Sequence, residues 1–180
     1  WVPCGEGVLI VVMGGSQGSK KINDMVRNVL PWLLNKGCRV VHLTGTNDCF
    51  YRNLSKIKTH PNLITRHFSH EISALLQNAD LVISRAGASA ISELMVTKTP
   101  SILIPFPQST DHHQEFNAAH MARFGGAVIV NQHKPEEHIL KNILSNLISS
   151  DSLIKMKSNM NDYVSLNPER KLFEIINLIT

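Results

Sequence analysis

The chain has 180 residues, 43% of them hydrophobic and 18% charged, which suits one folded core and excludes a disordered or low-complexity protein. Its formal charge of +4 is mildly basic, but basic pairs such as Lys20-Lys21 stand isolated and aromatics are only 6%; this argues against nucleic acid and for an anionic small molecule or an acidic membrane surface. No apolar run reaches the roughly 20 residues that span a bilayer, no signal-peptide pattern is visible, and Cys4, Cys38 and Cys49 form no CxxC pair, so they read as free thiols in a reducing compartment.

The chain opens at Trp1 rather than methionine, as expected of a fragment or a processed product. Val8–Met13 (VLIVVM) is continuous and rich in β-branched residues, the pattern of a strand buried on both faces. A helical pattern runs from Ser19 to Lys36, with Val26, Leu30, Leu33 and Leu34 on one side. Pro31 is expected to kink or split it, and Gly37 to stop it. Cys38–Gly45 predicts a second strand, Asn47–Lys58 a helix, and Asn62–Phe68 a third strand before a short helix ending near Asn78. Asp80–Gly87 predicts a strand, Ser89–Val96 a helix, Ser101–Pro107 a strand, and His112–Phe124 a helix closed by Gly125-Gly126. Ala127–Gln132 predicts a sixth strand, and helices are expected at 135–149, 151–164 and 168–180.

Strands alternating with helices imply an α/β domain: a Rossmann-like, doubly wound parallel sheet of about six strands, covered on both faces. Ligands on such sheets bind beyond the carboxyl ends of the strands, at the point where strand order reverses. That rule selects the loops after the first and fourth strands, Gly14–Ser19 and Arg85–Ser89.

The first loop, "GGSQGS", spells G-x-S-x-G through Gly14, Ser16 and Gly18. The spelling suits a hydrolase nucleophile elbow, and Asp111 and His133 follow in Ser…Asp…His order. It equally suits an anion cradle of backbone N–H groups at a helix start. An elbow normally follows a strand inside the sheet and draws oxyanion donors from an earlier loop; here no earlier loop exists. The dinucleotide pattern G-x-G-x-x-G fails at Met13, and no G-K-[ST] follows for a Walker loop. In "SRAGASAISE", Gly87 permits close backbone approach, while Ala88, Ser89 and Ala90 open a helix whose free N–H groups can face an anion. Glu93, one turn in, can accept two sugar hydroxyls, although a shifted capping box through Ala90 and Glu93 is the plainer alternative. In "PFPQSTDHHQEFNAAH", Asp111 is expected to cap the next helix and to aim His113 and Gln114 at the cleft. His113, Asn117 and His120 share a helix face, but no acidic or cysteine partner completes a metal site, so no metal is expected. In "HFSHEI", Phe68 can cover a base and backbone near Ser69 can read its edge; alternatively Phe68 and Ile72 are core.

Taken together, "GGSQGS", "HLTG", "HFSHEI", "ADLVISRAGASAISEL", "PSILIPFP" and "DHHQEFNA" resemble, in order and spacing over residues 8–133, the MurG family. These bacterial enzymes transfer GlcNAc from UDP-GlcNAc to the lipid-linked muramyl-pentapeptide precursor of peptidoglycan. The resemblance covers only the C-terminal, donor-binding half of their two-domain GT-B fold. It implies that Gly15, Ser16, Gln17 and Gly18 line the cleft near the diphosphate and acceptor, and that Phe68, Ser69 and Ile72 surround the uracil. It implies further that Gly87, Ala88, Ser89 and Ala90 meet sugar and phosphates, that Glu93 binds the ribose hydroxyls, and that His113 and Gln114 bind the GlcNAc hydroxyls. Three positions depart from the family pattern: Ala90 stands where threonine is common, His113 where some members have glutamine, and "WVPCGEG" lacks an arginine found near the start of the family's C-domain.

The implied chemistry is inverting and metal-independent, with no cofactor; the general base, the lipid acceptor site and the membrane-facing patch belong to an N-terminal domain absent from this sequence. The implied location is peripheral, at the cytoplasmic face of the plasma membrane, and a helix over 165–180 is expected to pack toward that other domain. Three rival readings stay open: a free-standing catalytic subunit of a two-subunit UDP-GlcNAc transferase, a serine hydrolase using Ser16, and a nucleotide-binding module without transferase activity.

Overall fold

The computed structural model describes residues 1–48, 60–132 and 137–161. The helix expected over Asn47–Lys58, Cys49, His133 and the helix expected over 165–180 therefore lie wholly or mostly outside the described residues.

Six parallel strands form one sheet in the order β3-β2-β1-β4-β5-β6. They are β1 (Leu9–Met13), β2 (Arg39–Leu43), β3 (Leu63–Arg66), β4 (Leu81–Ser84), β5 (Ser101–Leu103) and β6 (Ala127–Ile129). The helices are α1 (Lys20–Asn35), α2 (Ile72–Asn78), α3 (Ala88–Thr97), α4 (His113–Arg123), α5 (Glu137–Ile148) and α6 (Ser152–Asn159). This is the expected doubly wound α/β architecture. The chain moves outward from β1 to β3, then returns to the far side of β1 at β4, so strand order reverses between β1 and β4.

The period-2 alternation of the strands divides the core into two layers. Ile10, Val12, Ile83 and Ile102 point to one face and pack with Val26, Leu30 and Leu33 of α1 and Leu140 and Leu144 of α5. Leu9, Val11, Val82 and Leu103 point to the other and pack with Leu76 of α2, Leu94 of α3 and Met121 of α4. Burial on both faces explains why these strands read as unbroken apolar runs.

Helix α1 runs on through Pro31 as one helix, so the expected split does not occur. Pro31 lies on the exposed side, where water can replace the backbone bond that it removes. The helix ends as predicted at Gly37, in a left-handed conformation (φ 78°), with Gly37 N–H donating to Leu34 O and Cys38 N–H to Leu33 O, the Schellman arrangement. Cys4 is exposed and Cys38 buried, both as free thiols.

A buried polar network fixes α1 to β2. Asn23, 1% exposed, donates through Nδ2 to Thr44 O at 2.9 Å and to the Asp48 carboxylate. Its Oδ1 is therefore the acceptor facing His42 Nε2 at 3.0 Å, which assigns the ring proton to Nε2. Arg27 bridges the Asp24 and Asp48 carboxylates. Burial, aided by the Arg27 guanidinium and opposed by Asp48, pushes the His42 imidazole down from 6.5 to about 3.

The unfolded chain protonates His42 below about pH 6.5 while the folded chain resists until about pH 3, so stability is lost as pH falls through that window. The limiting slope from this residue is about 1.4 kcal/mol per pH unit. Urea denaturation between pH 7 and 4 should show this fall, and His42→Gln, although less stable at pH 7, should show a shallower one.

Candidate functional site

The carboxyl ends of β1 and β4 open into a cleft of ≈ 340 Å³. The loop leaving β1 is a tight turn closed by Gly18 N–H donating to Gly15 O at 3.0 Å, with Gly15 and Gly18 at φ 90° and 83°. Its second glycine has a steric reason as well: a Cβ on Gly18 would meet Thr44 O at 2.0 Å. The loops after β1 and β2 thus touch backbone to backbone, and this contact sets the height of the Gly14–Ser19 turn above the sheet.

Helix α3 begins at the other wall. Gly87 is its N-cap, and no side chain caps it. The N–H groups of Ala88, Ser89 and Ala90 consequently lack intrahelical acceptors, and the positive end of the helix dipole faces the cleft mouth. The shifted capping box does not form, because Ala90 is already the third helical residue and Glu93 lies a turn further on. The Glu93 carboxylate lines the cleft, and among the described residues no side chain pairs with it.

The cleft wall brings together Gly15, Ser16, Phe68, Ile72, Gly87, Ser89, Ala90, Glu93 and Gln114 from the sequence-derived set. Phe68 is 46% exposed and meets His70 edge-on at 4.9 Å, so it is a rim residue and not core. Gln114 accepts from Phe106 N–H at 3.0 Å through Oε1, which leaves its amide N–H groups as donors. The remaining predicted residues sit elsewhere. Gln17 and Gly18 border a neighbouring hollow against Asn23 and Asp48, and Gly18 also borders one beside Lys21. Ala88 and His113 are exposed outside the cleft wall, and Ser69 is buried with its hydroxyl accepting from Glu71 N–H at 3.1 Å.

The expected Asp111 cap is not formed. Thr110–His112 make a 3-10 turn in which Asp111 and His112 adopt left-handed φ values of 50° and 53°, and His112 occupies the N-cap position without a side-chain capping bond, its Nδ1 lying 3.5 Å from the Glu115 carboxylate. Ser109 Oγ instead reaches the first turn, accepting from Gln114 N–H at 3.4 Å. Asn117 donates to Ala86 O at 3.0 Å and His120 packs edge-on against Phe124, so these two residues of the shared helix face make structural contacts. Ser16 is exposed on the turn, and among the described residues no histidine or carboxylate hydrogen-bonds to it.

Sequence reasoning selected the loop Arg85–Ser89 but gave the Arg85 side chain no role. Arg85 follows β4 directly, and its half-buried guanidinium lines both the main cleft and the ≈ 630 Å³ hollow beside Lys20, Lys21 and Gln132. Burial lowers its pKa from the ordinary arginine range. The available signal was a charge closing an otherwise apolar strand, "LVISR".

Residues 9–174 match the family model described as Glycosyltransferase family 28 C-terminal domain. The chain is 71% identical over 180 residues to a Prochlorococcus marinus (strain NATL2A) protein named UDP-N-acetylglucosamine--N-acetylmuramyl-(pentapeptide) pyrophosphoryl-undecaprenol N-acetylglucosamine transferase, covering 100% of this chain and 51% of that protein. The chain thus spans about half the length of the curated relatives it matches. Among solved structures, Acinetobacter baumannii MurG superposes with a TM-score of 0.75 at 24% identity, over 88% of this chain and 46% of that one. The solution structure of ALG13 superposes with a TM-score of 0.51 at 18% identity, over 81% of this chain and 87% of that one. These likenesses show the fold, which is that of the C-terminal half of a GT-B glycosyltransferase.

Gly18→Ala is expected to cost about 2–4 kcal/mol, combining left-handed strain with the clash at Thr44 O. Gly15→Ala has the strain but open space around it, and should cost less. Denaturant midpoints of the two variants check the order.

Proposed function

This chain belongs to the glycosyltransferase family 28 C-terminal domain family, and from that premise we propose that it is the donor half of a transferase that moves GlcNAc from UDP-GlcNAc to the lipid-linked muramyl-pentapeptide precursor of peptidoglycan. The observation that carries this reading is the meeting of the glycine turn that leads into α1 and the uncapped start of α3 on one cleft that also holds Phe68, Glu93 and Gln114. Each group has a matching part of the donor. The N–H groups of Ser89 and Ala90 and the Gly14–Ser19 turn suit the diphosphate. The Glu93 carboxylate suits the ribose diol, Phe68 and Ile72 the faces of the uracil, and the free amide of Gln114 a sugar hydroxyl.

The reaction we infer is attack by the acceptor hydroxyl on the anomeric carbon, opposite the departing UDP, with inversion. Negative charge grows on the diphosphate as the bond breaks, and the preorganised N–H groups stabilise it without a metal. The general base and the lipid acceptor site lie in a further domain, with which this chain works as a peripheral protein at the cytoplasmic face of the membrane. Among the described residues no helix is long and apolar enough to cross a membrane. His113 lies outside the cleft wall, one residue before Gln114 on α4.

A second reading, a free-standing subunit, is favoured by the ALG13 likeness spanning 87% of that chain. The 71% identity to a named bacterial transferase outweighs it, and an in-frame acceptor domain upstream in the gene decides between them. Ser16 as a hydrolase nucleophile predicts labelling by a fluorophosphonate that Ser16→Ala abolishes; the donor reading predicts none.

The 180-residue chain should bind UDP-GlcNAc in preference to UDP-glucose and NAD by calorimetry, and transfer nothing to a lipid acceptor alone. Glu93→Gln should weaken UDP about ten-fold, equivalent to about 1.4 kcal/mol, with no change in melting temperature. The same variant should leave 2′,3′-dideoxy-UDP binding unchanged, because that ligand lacks the diol.

A further inference from the structure

The Arg85 guanidinium stands at the seam of two hollows and makes four hydrogen bonds, all to neutral oxygens. They are the carbonyls of Ile104 (2.9 Å) and Pro105 (3.1 Å), Gln132 Oε1 (2.8 Å) and Ser19 Oγ (2.8 Å). The Phe106 ring lies 5.3 Å from its centre. Among the described residues no carboxylate forms an ion pair with it. Removing a charge from water and giving it only neutral partners is costly. A staple between the exits of β5 and β6 needs donors but no charge.

The bond to Ser19 ties this cation to α1. Ser19 is the N-cap of α1, yet its Oγ lies 3.4 Å from Ile22 N–H and only 2.8 Å from the Arg85 nitrogen. The cap hydroxyl thus serves its helix and the guanidinium together. The hydroxyl accepts from both, and the N–H groups of Lys20 and Lys21, which this cap does not reach, lie beside the hollow that Lys20, Lys21 and Arg85 line.

We propose that Arg85 is the fixed positive charge that receives the diphosphate of the donor, and that its bond to Ser19 ties this charge to the start of α1, whose first N–H groups face the same anion. This deepens the donor reading above and rests on it. Arg85 both binds and positions: its fork keeps the exits of β5 and β6 and the α1 cap in register, and its charge meets the growing charge on departing UDP. The site should therefore discriminate by phosphate content, favouring diphosphates over the bare nucleoside.

The test titrates the chain with UDP, uridine and inorganic pyrophosphate, as the unmodified protein, Arg85→Gln and Arg85→Lys, with a thermal melt of each. Arg85→Gln should weaken UDP and pyrophosphate about ten-fold or more while uridine stays within about two-fold. Arg85→Lys should recover part of the loss, since it restores charge without the planar fork. Added salt should weaken UDP binding more in the unmodified chain than in Arg85→Gln. Equal loss of UDP and uridine in Arg85→Gln, or no loss of either, overturns the proposal. If Arg85→Gln does not fold, Arg85→Lys decides: a loss confined to phosphate-bearing ligands supports the proposal, and an equal loss or none overturns it. Pyrophosphate binding that needs Arg85, in a chain that ignores UDP, overturns the donor reading alone; no binding of either ligand overturns both.

Discussion

The molecule depends on one constraint: β1 pairs in parallel with β2 on one side and β4 on the other. Parallel pairing forces each connection to cross a face of the sheet, which is why both faces are covered and all the carboxyl ends point one way. With β4 beside β1, the loops leaving these two strands diverge to opposite faces and leave a gap between them. Helices α1 and α3 then start at the two edges of that gap. The cleft, its two helix dipoles and the position of Arg85 all follow from this single adjacency.

Local contacts refine what topology provides. The Gly18–Thr44 approach fixes the glycine turn from the β2 side, and the His42–Asn23–Asp48 network anchors the first turns of α1 beneath it. Arg85 closes the arrangement from the β5 and β6 side. The glycine turn is thus held from both flanks, by the Thr44 backbone and the buried Asn23 network on the β2 side and by Arg85 on the other. Such support is what keeps preorganised donors aimed at a developing charge.

Much of this was legible in the sequence, for identifiable reasons. Strands buried on both faces carry no polar alternation, so "VLIVVM" and "DLVIS" announced themselves, and glycines at Gly37 and Gly18 marked chain reversals that need left-handed backbone. Strand ends were less legible. Ser101–Pro107 reads as one strand, yet pairing stops at Leu103, because Arg85 takes the carbonyls of Ile104 and Pro105 and proline offers no N–H. The role of Asp111 was misread since capping depends on backbone angles that two successive left-handed residues overturned. Of the candidate site, the two loops, Arg85–Ser89 among them, followed from the switch-point rule, and Glu93 from its place one turn into α3. The part played by the Arg85 side chain did not, because its partners lie 19, 20, 47 and 66 residues away in the chain.

The central claim is that a nucleoside diphosphate sugar lies across the gap between β1 and β4. Backbone-amide NMR of the chain titrated with UDP-GlcNAc tests it most directly. The account predicts saturable shifts concentrated at Gly14–Ser19, Phe68–Ser69 and Gly87–Ala90, with little change at the amino ends of the strands around Asp80 and Pro100. Shifts centred on those amino ends, or none at saturating donor, would contradict it.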